Sequence, residues 1–433
     1  MNMRLFFLVF FFIPWTASSV YGDAWTLDKT VKTAVEVSNL VGMEQLNAES
    51  ARLDAVSADM GWYPTVSLSG RANVVSEVME ISLPFKNIRF GDYDSYDMMI
   101  GVNQLMYDGG RLRALEAASE EHAKMSVFQA EAAALAVEYQ AKAAFFGVVM
   151  AEKTLDASRQ SLLEANNHLR DVRVRQREGM ALENDVLRAR LRASQAEMDL
   201  EVRKTELEKA GAAFRKVTGL GADEDVTVTW KEGGVPKPQS PHLDTALRQR
   251  PEFRAFDSAA SASEITAQTA HAGKLPTIGL YGTFNYGKPG LDMPANEWMH
   301  YFSGGIALNW RVWDWGITER TIEKALIERK RTLKRRDDFT REITRQMTDS
   351  AVDYNAAKKR KTLASEAADI ARRQLELATV SYREGVLTET DYDNSHAMFT
   401  RAMLEESVAA ISLWLAQAKI EYVLGIKYHG GTK

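Results

Sequence analysis

The sequence contains no cysteine among its 433 residues. Disulfides, thiolate metal centres, iron–sulfur clusters and cysteine nucleophiles are therefore excluded. A large excess of one charge is also missing, because 54 Lys and Arg residues stand against 59 Asp and Glu residues, for a formal net charge of −5. No global basic field therefore indicates a nucleic-acid partner.

Long apolar runs are scarce as well. One apolar block, Leu5 to Trp15, follows Arg4 and precedes small and polar residues. This order is typical of a secretory signal peptide, so we expect residues 1–22 to be removed. No later run reaches about 18 apolar residues, and the sequence predicts no transmembrane helix. An exported chain of this kind would enter a membrane only as β-strands.

Proline is missing from two long stretches, residues 85–235 and 295–433. Since proline breaks helix interiors, these stretches are where long helices can form. The sequence predicts long helices over 111–178 and 317–384, each followed, after a glycine, by a second helix. Apolar and small residues at 3,4 spacing are typical of close coiled-coil packing. Each half of the chain is therefore predicted to contain a long antiparallel helical hairpin.

The two predicted hairpin turns have similar sequences, with Arg-Glu-Gly ending at Gly179 in one and at Gly385 in the other. Each glycine is followed six residues later by an aspartate, Asp185 or Asp391. The simplest interpretation is that both glycines end helices, where a positive φ favours glycine. The duplication predicts a first unit over 23–217, a connector over 218–250, a second unit over 251–425 and a C-terminal tail over 426–433.

Segments that alternate polar and apolar residues precede each hairpin. The sequence predicts helices over about 27–60 and 251–271, and strands over about 65–74, 98–107, 277–286 and 301–313, each strand pair being joined by a loop. Lengths near ten residues and aromatic ends match transmembrane β-barrel strands, although a half-buried soluble sheet gives the same alternation. Four strands cannot close a barrel, and lipid tolerates no open sheet edge. Membrane insertion would therefore require several copies to share one barrel.

These features together resemble the TolC-like outer-membrane channel family of efflux and secretion systems. The resemblance covers the whole mature chain and rests on the duplication, both tip motifs, Tyr63-Pro64-Thr65, Leu275-Pro276-Thr277, Thr218-Gly219 and Arg250-Pro251-Glu252. It implies a mainly α fold with a membrane β-barrel part, in which three protomers build a twelve-stranded barrel that continues into a twelve-helix periplasmic tunnel. The implied function is the passive outer-membrane exit channel of a tripartite efflux or type I secretion system.

The resemblance also implies partners and site residues. A periplasmic adaptor protein, an inner-membrane pump of the RND, ABC or MFS type and outer-membrane lipid would be the partners, with no cofactor. The hairpin tips would contact the adaptor through Gly179, Gly385, Leu182, Val386 and Leu387. The pore constriction would comprise Asp391, Asp185, Tyr382 and Asn394, with Tyr382 bonded to Asp185 in the closed state. Leu387 and Asn394 replace an arginine and an aspartate of the family pattern, so we expect a weaker lock and a less charged ring.

Other interpretations stay open. Asp391 lies three residues after Thr388, the spacing of a capping box, and could serve only to begin a helix. The alternative function is a periplasmic coiled-coil adaptor or scaffold protein without a membrane barrel. An exported hydrolase is a third possibility, but no catalytic arrangement can be assembled, and we expect no enzyme. The seven histidines show no clustered spacing, so the sequence predicts no metal site.

Overall fold

The computed structural model describes residues 24–90, 92–230, 242–292, 296–384 and 386–428. The predicted signal peptide over 1–22 and the tip residue Gly385 lie outside these residues. Within them the chain is mostly helical with a smaller share of strand. The prediction of a mainly α fold with a β part is therefore confirmed at this level.

Eight α-helices and six strands lie within the described residues. The helices are α1 Leu27–Val37, α2 Asn39–Asp59, α3 Arg111–Arg177, α4 Glu183–Thr218, α5 Leu243–Gln249, α6 Pro251–Ala272, α7 Ile317–Arg383 and α8 Glu389–Leu424. The strands are β1 Thr65–Val74, β2 Met79–Leu83, β3 Lys86–Phe90, β4 Asp94–Tyr107, β5 Thr277–Lys288 and β6 Met299–Asn309.

Four strands form one antiparallel sheet in the order β1-β4-β5-β6. Side chains alternate along each strand, so the register decides which residues share a face. One face collects apolar residues, namely Val66, Leu68, Met98, Ile100, Val102, Ile278, Leu280, Phe284, Phe302, Ile306 and Leu308. The other face collects Thr65, Ser67, Arg71, Asp97, Asn103, Thr283, Asn285 and Ser303. The sheet is therefore apolar on one side and polar on the other.

The strand ends differ from the sequence prediction in two places. β6 stops at Asn309 rather than at position 313, because Asn309 faces Thr277, the first residue of β5, and no partner continues beyond it. The indole of Trp310 instead donates a hydrogen bond of 3.0 Å to the Lys274 carbonyl. A second antiparallel pair, β2 and β3, lies between β1 and β4, where the sequence predicts only a loop.

The helices form a single row. Near the sheet α2 packs on α3, α3 on α6 and α6 on α7; farther away α4 packs on α3, α3 on α8 and α8 on α7. The two 67-residue helices α3 and α7 run through both parts, each about 100 Å long at about 1.5 Å per residue. One edge of the row is therefore formed by α2 and α4, and the other edge by α7.

The helix predicted over 27–60 is two helices, because the chain leaves helical geometry at Ser38. Its backbone is extended, with φ −68° and ψ 114°, and its hydroxyl accepts a free N–H of the first turn of α2, from Val41, at 3.4 Å. A serine that caps the second helix thus ends the first one. The predicted connector over 218–250 contains the short helix α5 and a bridge between Val228 and Trp25.

Of the described residues, one helix, α3, passes the length and composition test for a membrane-spanning helix. It contains no uninterrupted apolar run of about 18 residues, since charged residues such as Glu138 and Lys142 interrupt it. The most apolar part of α3 contains Phe145, Phe146, Val148 and Val149, which are buried in a cluster with Phe214 of α4 and Ile411 of α8. The apolar part of α3 thus packs against other helices of the protein. We call this buried cluster, which lies near the middle of α3, the equatorial core.

Candidate functional site: the hairpin tips, the seam between them and the sheet face

The first hairpin tip is closed by hydrogen bonds that depend on Gly179. The Met180 N–H donates to the Arg175 carbonyl at 2.8 Å, and the Gly179 N–H donates to the Gln176 carbonyl at 3.0 Å. Gly179 has a left-handed φ of +74°. These bonds define a Schellman motif, in which glycine ends a helix without steric penalty.

Asp185 begins the next helix of this tip. Its carboxylate accepts the N–H of Leu182 at 3.0 Å and so satisfies a backbone donor that the helix leaves free. Leu182 is 72% exposed, so the tip presents an apolar side chain to its surroundings. The family resemblance implies a gating role for Asp185, which stays a prediction, whereas the structure shows that Asp185 caps α4.

The second tip is built in a related way. The Thr388 hydroxyl accepts the N–H of Asp391 at 3.2 Å and donates to the Asp391 carboxylate at 2.6 Å. Asp391 is therefore part of a helix cap, as its spacing from Thr388 suggested, while its side chain stays exposed at the tip. Val386 is 78% exposed and Leu387 is half-buried.

The predicted gate residues lie on two different helices. Asp185 is on α4, Asp391 and Asn394 are on α8, and both helices pack on α3. The side chain of Tyr382 lies outside the described part of the structure, so its bond to Asp185 stays a prediction.

A cluster that the sequence did not predict lies just above the tips. Nδ1 of His168 on α3 is 2.9 Å from a carboxylate oxygen of Asp393 on α8, and Nδ1 of His396 on α8 is 3.1 Å from a carboxylate oxygen of Glu164 on α3. We call these four residues the histidine clasp. They border a groove of about 490 Å³ between α3, α4 and α8. Burial raises the pKa of the Glu164 carboxyl above its ordinary 4.5, against the opposing influence of His396.

A local signal for the clasp was present in the sequence. Glu164 and His168 are four residues apart and Asp393 and His396 are three apart, so each pair lies on one helix face. Only the packing of α3 on α8 brings the two pairs together, across more than 200 residues of chain. A search for histidines close in sequence could not detect this arrangement.

The apolar face of the sheet is uncovered in the single chain. Phe302 is 79% exposed, Ile306 72% and Leu68 71%. Aromatic residues lie at both ends of this sheet: the rings of Tyr96 and Tyr286 stack on Trp298 at one end, and exposed Trp310, Trp313 and Trp315 follow β6 at the other. Apolar strands between two aromatic zones are typical of a sheet that contacts lipid.

An exposed apolar sheet joined to a long row of helices defines the architecture of a membrane channel subunit. The sequence model described as outer membrane efflux protein matches residues 31–220 and 242–425. The chain therefore belongs to the outer membrane efflux protein family, which confirms the family predicted from the sequence. It is an outer-membrane efflux channel.

Solved structures of this architecture superpose on most of the chain. The CmeC outer membrane channel of Campylobacter jejuni matches with a TM-score of 0.75 and 17% identity, covering 92% of this chain and 85% of its own. The outer membrane protein VceC of Vibrio cholerae gives 0.73 and 17%, covering 92% and 96%. The open state of the Neisseria gonorrhoeae MtrE channel gives 0.74 and 17%, covering 93% and 89%. Among curated protein sequences, none matches this chain.

Proposed function

We propose that the chain is the passive exit duct of a tripartite efflux or type I secretion system, working as a trimer with its helical part in the periplasm. The observation that carries this proposal is the sheet with one apolar face. Within the described residues, neither β1 nor β6 has a partner on its outer edge. Because lipid cannot satisfy free backbone N–H and C=O groups, these edges must pair with neighbouring copies. Twelve strands from three copies follow from the family resemblance.

The helices at the two edges support the same assembly. α2 leads into β1 and α7 follows β6, so pairing β1 with β6 of the next copy would bring α2 beside α7. Exposed apolar residues lie along α2 at Leu40, Met43, Leu46 and Leu53, and at Met60 directly after it. α2 carries four acidic residues and one arginine, whereas residues 324–336 of α7 carry seven basic residues and one glutamate. Opposite charge beside apolar contact favours this pairing.

The tips are the proposed gate and adaptor contact. Around the trimer axis, Asp391 would form a ring of carboxylates that favours cations, with Asn394 beside it and Asp185 bonded to Tyr382 in the closed state. The exposure of Leu182 and Val386 supports contact of the tips with a periplasmic adaptor. Leu387 and the glycines at 179 and 385 complete this proposed contact surface. An inner-membrane pump of the RND, ABC or MFS type would supply the energy.

Cysteine cross-linking tests the assembly against a background without native cysteine. Leu53→Cys on α2 would be combined in turn with Lys324→Cys and Ile327→Cys on α7, which lie at similar heights above the sheet. We expect oxidation in outer-membrane vesicles to give a ladder that ends at the trimer mass. Single-cysteine variants are the control and should give at most dimers. A soluble monomer with no cross-linked ladder would favour the periplasmic adaptor function instead.

Two further experiments test the gate. Asp391→Ala should change single-channel conductance or cation preference in a planar bilayer, whereas Glu405→Ala, an exposed change farther along α8, should not. Equal effects of both variants would remove Asp391 from the constriction. A disulfide between cysteines placed at positions 185 and 382 should abolish export, and export that continues with the link formed would refute this gate.

A further inference from the structure

Within one protomer, the two hairpins contact each other mainly along the seam between α3 and α8. At the equatorial core this seam is tight. Phe146 stacks on Trp414, and the buried ammonium of Lys142 lies 2.6 Å from the Glu421 carboxylate. Toward the tips the seam becomes polar, and the histidine clasp joins α3 to α8 there.

Each hairpin, by contrast, is apolar inside as far as the tip region. Ala165, Leu169 and Val172 of α3 pack on Ala189 and Ala193 of α4. In the other hairpin, Ala368 and Ala371 of α7 pack on Ala402 of α8. Apolar interfaces of this kind hold at any pH between about 5 and 8, since they contain no titrating group. Two coherent hairpins are thus joined near the tips by titratable groups.

We propose that Glu164, His168, Asp393 and His396 form a proton-sensitive restraint that holds the two hairpins of each protomer together and so opposes opening of the tips. His168 lies nine residues before the end of α3, about 14 Å from the tip at about 1.5 Å per residue. Separation of the tips must therefore break the clasp, while the equatorial core can stay intact. This inference rests on the proposed gate at the tips.

The direction of the pH effect follows from linkage. A charged imidazole lies beside its facing carboxylate, at 2.9 Å for His168 and 3.1 Å for His396, only while the clasp is closed, so positive charge on the rings favours the closed state. Histidine is the side chain that gains positive charge on acidification through the neutral range, between about pH 7.5 and 5.5. Acidification over this window therefore favours the closed tips.

The surrounding charges support this direction. The titratable groups of the groove are Glu164, His168 and Asp171 from α3, Arg192, Asp199 and Arg203 from α4, and Tyr392, Asp393, His396 and Arg401 from α8. With neutral histidines, the carboxylates exceed the guanidinium groups by one, so a proton on one ring balances the groove. Since burial raises the pKa of Glu164, acid approaching its ordinary value of 4.5 should neutralise this carboxyl and weaken the clasp again.

Spin-label distances test the clasp directly. Arg177→Cys and Thr390→Cys place one label on each tip, and dilution with unlabelled chain isolates the distance within one protomer. Between pH 7.5 and 5.5 we expect the ratio of closed to open tips to rise roughly fivefold in the detergent-solubilised full-length chain. The combined variant His168→Gln/His396→Gln keeps hydrogen-bonding groups but cannot titrate, and should lose this response. His122→Gln, an exposed change on the same helix α3, should keep it.

The results separate the clasp from the duct. An unchanged pH response in the double glutamine variant, or no response in the unaltered clasp, would overturn the inference. Should that variant fail to fold, Glu164→Gln/Asp393→Asn, which keeps both histidines, should lose the response in its place. Pore formation in planar bilayers is measured in parallel. A pH-dependent distance between the tips without channel conductance would support the clasp and refute the duct. Channel conductance with a pH-independent distance would support the duct and refute the clasp.

Discussion

Arg250 offers the sharpest test of how the two ends of the second unit are held together. It precedes α6, is 2% exposed, and its guanidinium pairs in bidentate fashion with Glu252. The same group lies 5.1 Å from the centre of the Tyr422 ring on α8 and 5.4 Å from that of Phe339 on α7. One buried side chain therefore links α6, α7 and α8.

Removing this side chain should be costly. Arg250→Ala leaves the largely buried Glu252 carboxylate without its partner, a change that costs about 3–5 kcal/mol in buried pairs. The two ring contacts are worth about 0.5–1 kcal/mol each and are lost as well. We therefore expect the free energy of unfolding to fall by about 4–7 kcal/mol. Arg250→Lys should lose about half of this stability, because lysine keeps the positive charge but can neither pair with Glu252 in bidentate fashion nor stack on the two rings.

Urea unfolding of the detergent-solubilised chain, followed by helical circular dichroism, measures these changes. A double-mutant cycle with Glu252→Ala should give a coupling energy of about 2 kcal/mol. The matched control is the cycle for Arg401 and Glu405, whose side chains are 81% and 56% exposed, where about 0.5 kcal/mol is expected. If the two cycles gave the same coupling, the structural role assigned to Arg250 would be refuted.

Two further predictions concern the sheet and the glycines. Phe302→Arg on the apolar face should cost about 2–4 kcal/mol and reduce membrane-assembled trimer on native gels, while Ser303→Arg on the polar face should not; equal yields would contradict the assignment of faces. Gly179→Ala and Gly425→Ala both strain a left-handed backbone, at φ +74° and +77°. Only at Gly425 would the new Cβ also meet the Arg250 backbone N, at 2.8 Å, so its urea midpoint should fall further; equal losses would contradict the close approach.

The long elements could be predicted because the sequence repeats one physical signal many times in each. Helix-forming residues without proline persist through α3 and α7, and polar–apolar alternation persists through β1 and β5. Ends were harder to predict, because partners decide them. β6 continues its alternation through Val312, but it stops where β5 supplies no further hydrogen bonds.

Features that depend on contact between distant segments of the chain could not be predicted from the sequence. The pair β2 and β3 alternates Met79, Ile81 and Leu83, yet Pro84 follows, and the segment was predicted as a loop. The clasp is the clearer case, since His168 and His396 belong to different halves of the chain. Their meeting depends on the packing of α3 on α8, which neither repeat encodes alone.

The position of the equatorial core has a mechanical consequence. Phe145 to Val149 fix α3 near its midpoint, and Ile343 to Tyr354 fix α7 near its own. Beyond this fixed point, 28 residues of α3 continue to the tip, a length of about 40 Å at about 1.5 Å per residue. A tilt of α3 by about 5° at the core therefore displaces its tip by about 4 Å. Gentle curvature of an unbroken helix can supply such a tilt. In the proposed gate, the displacement of the tips would therefore be set by the length of helix beyond the core and would require no dedicated hinge residue.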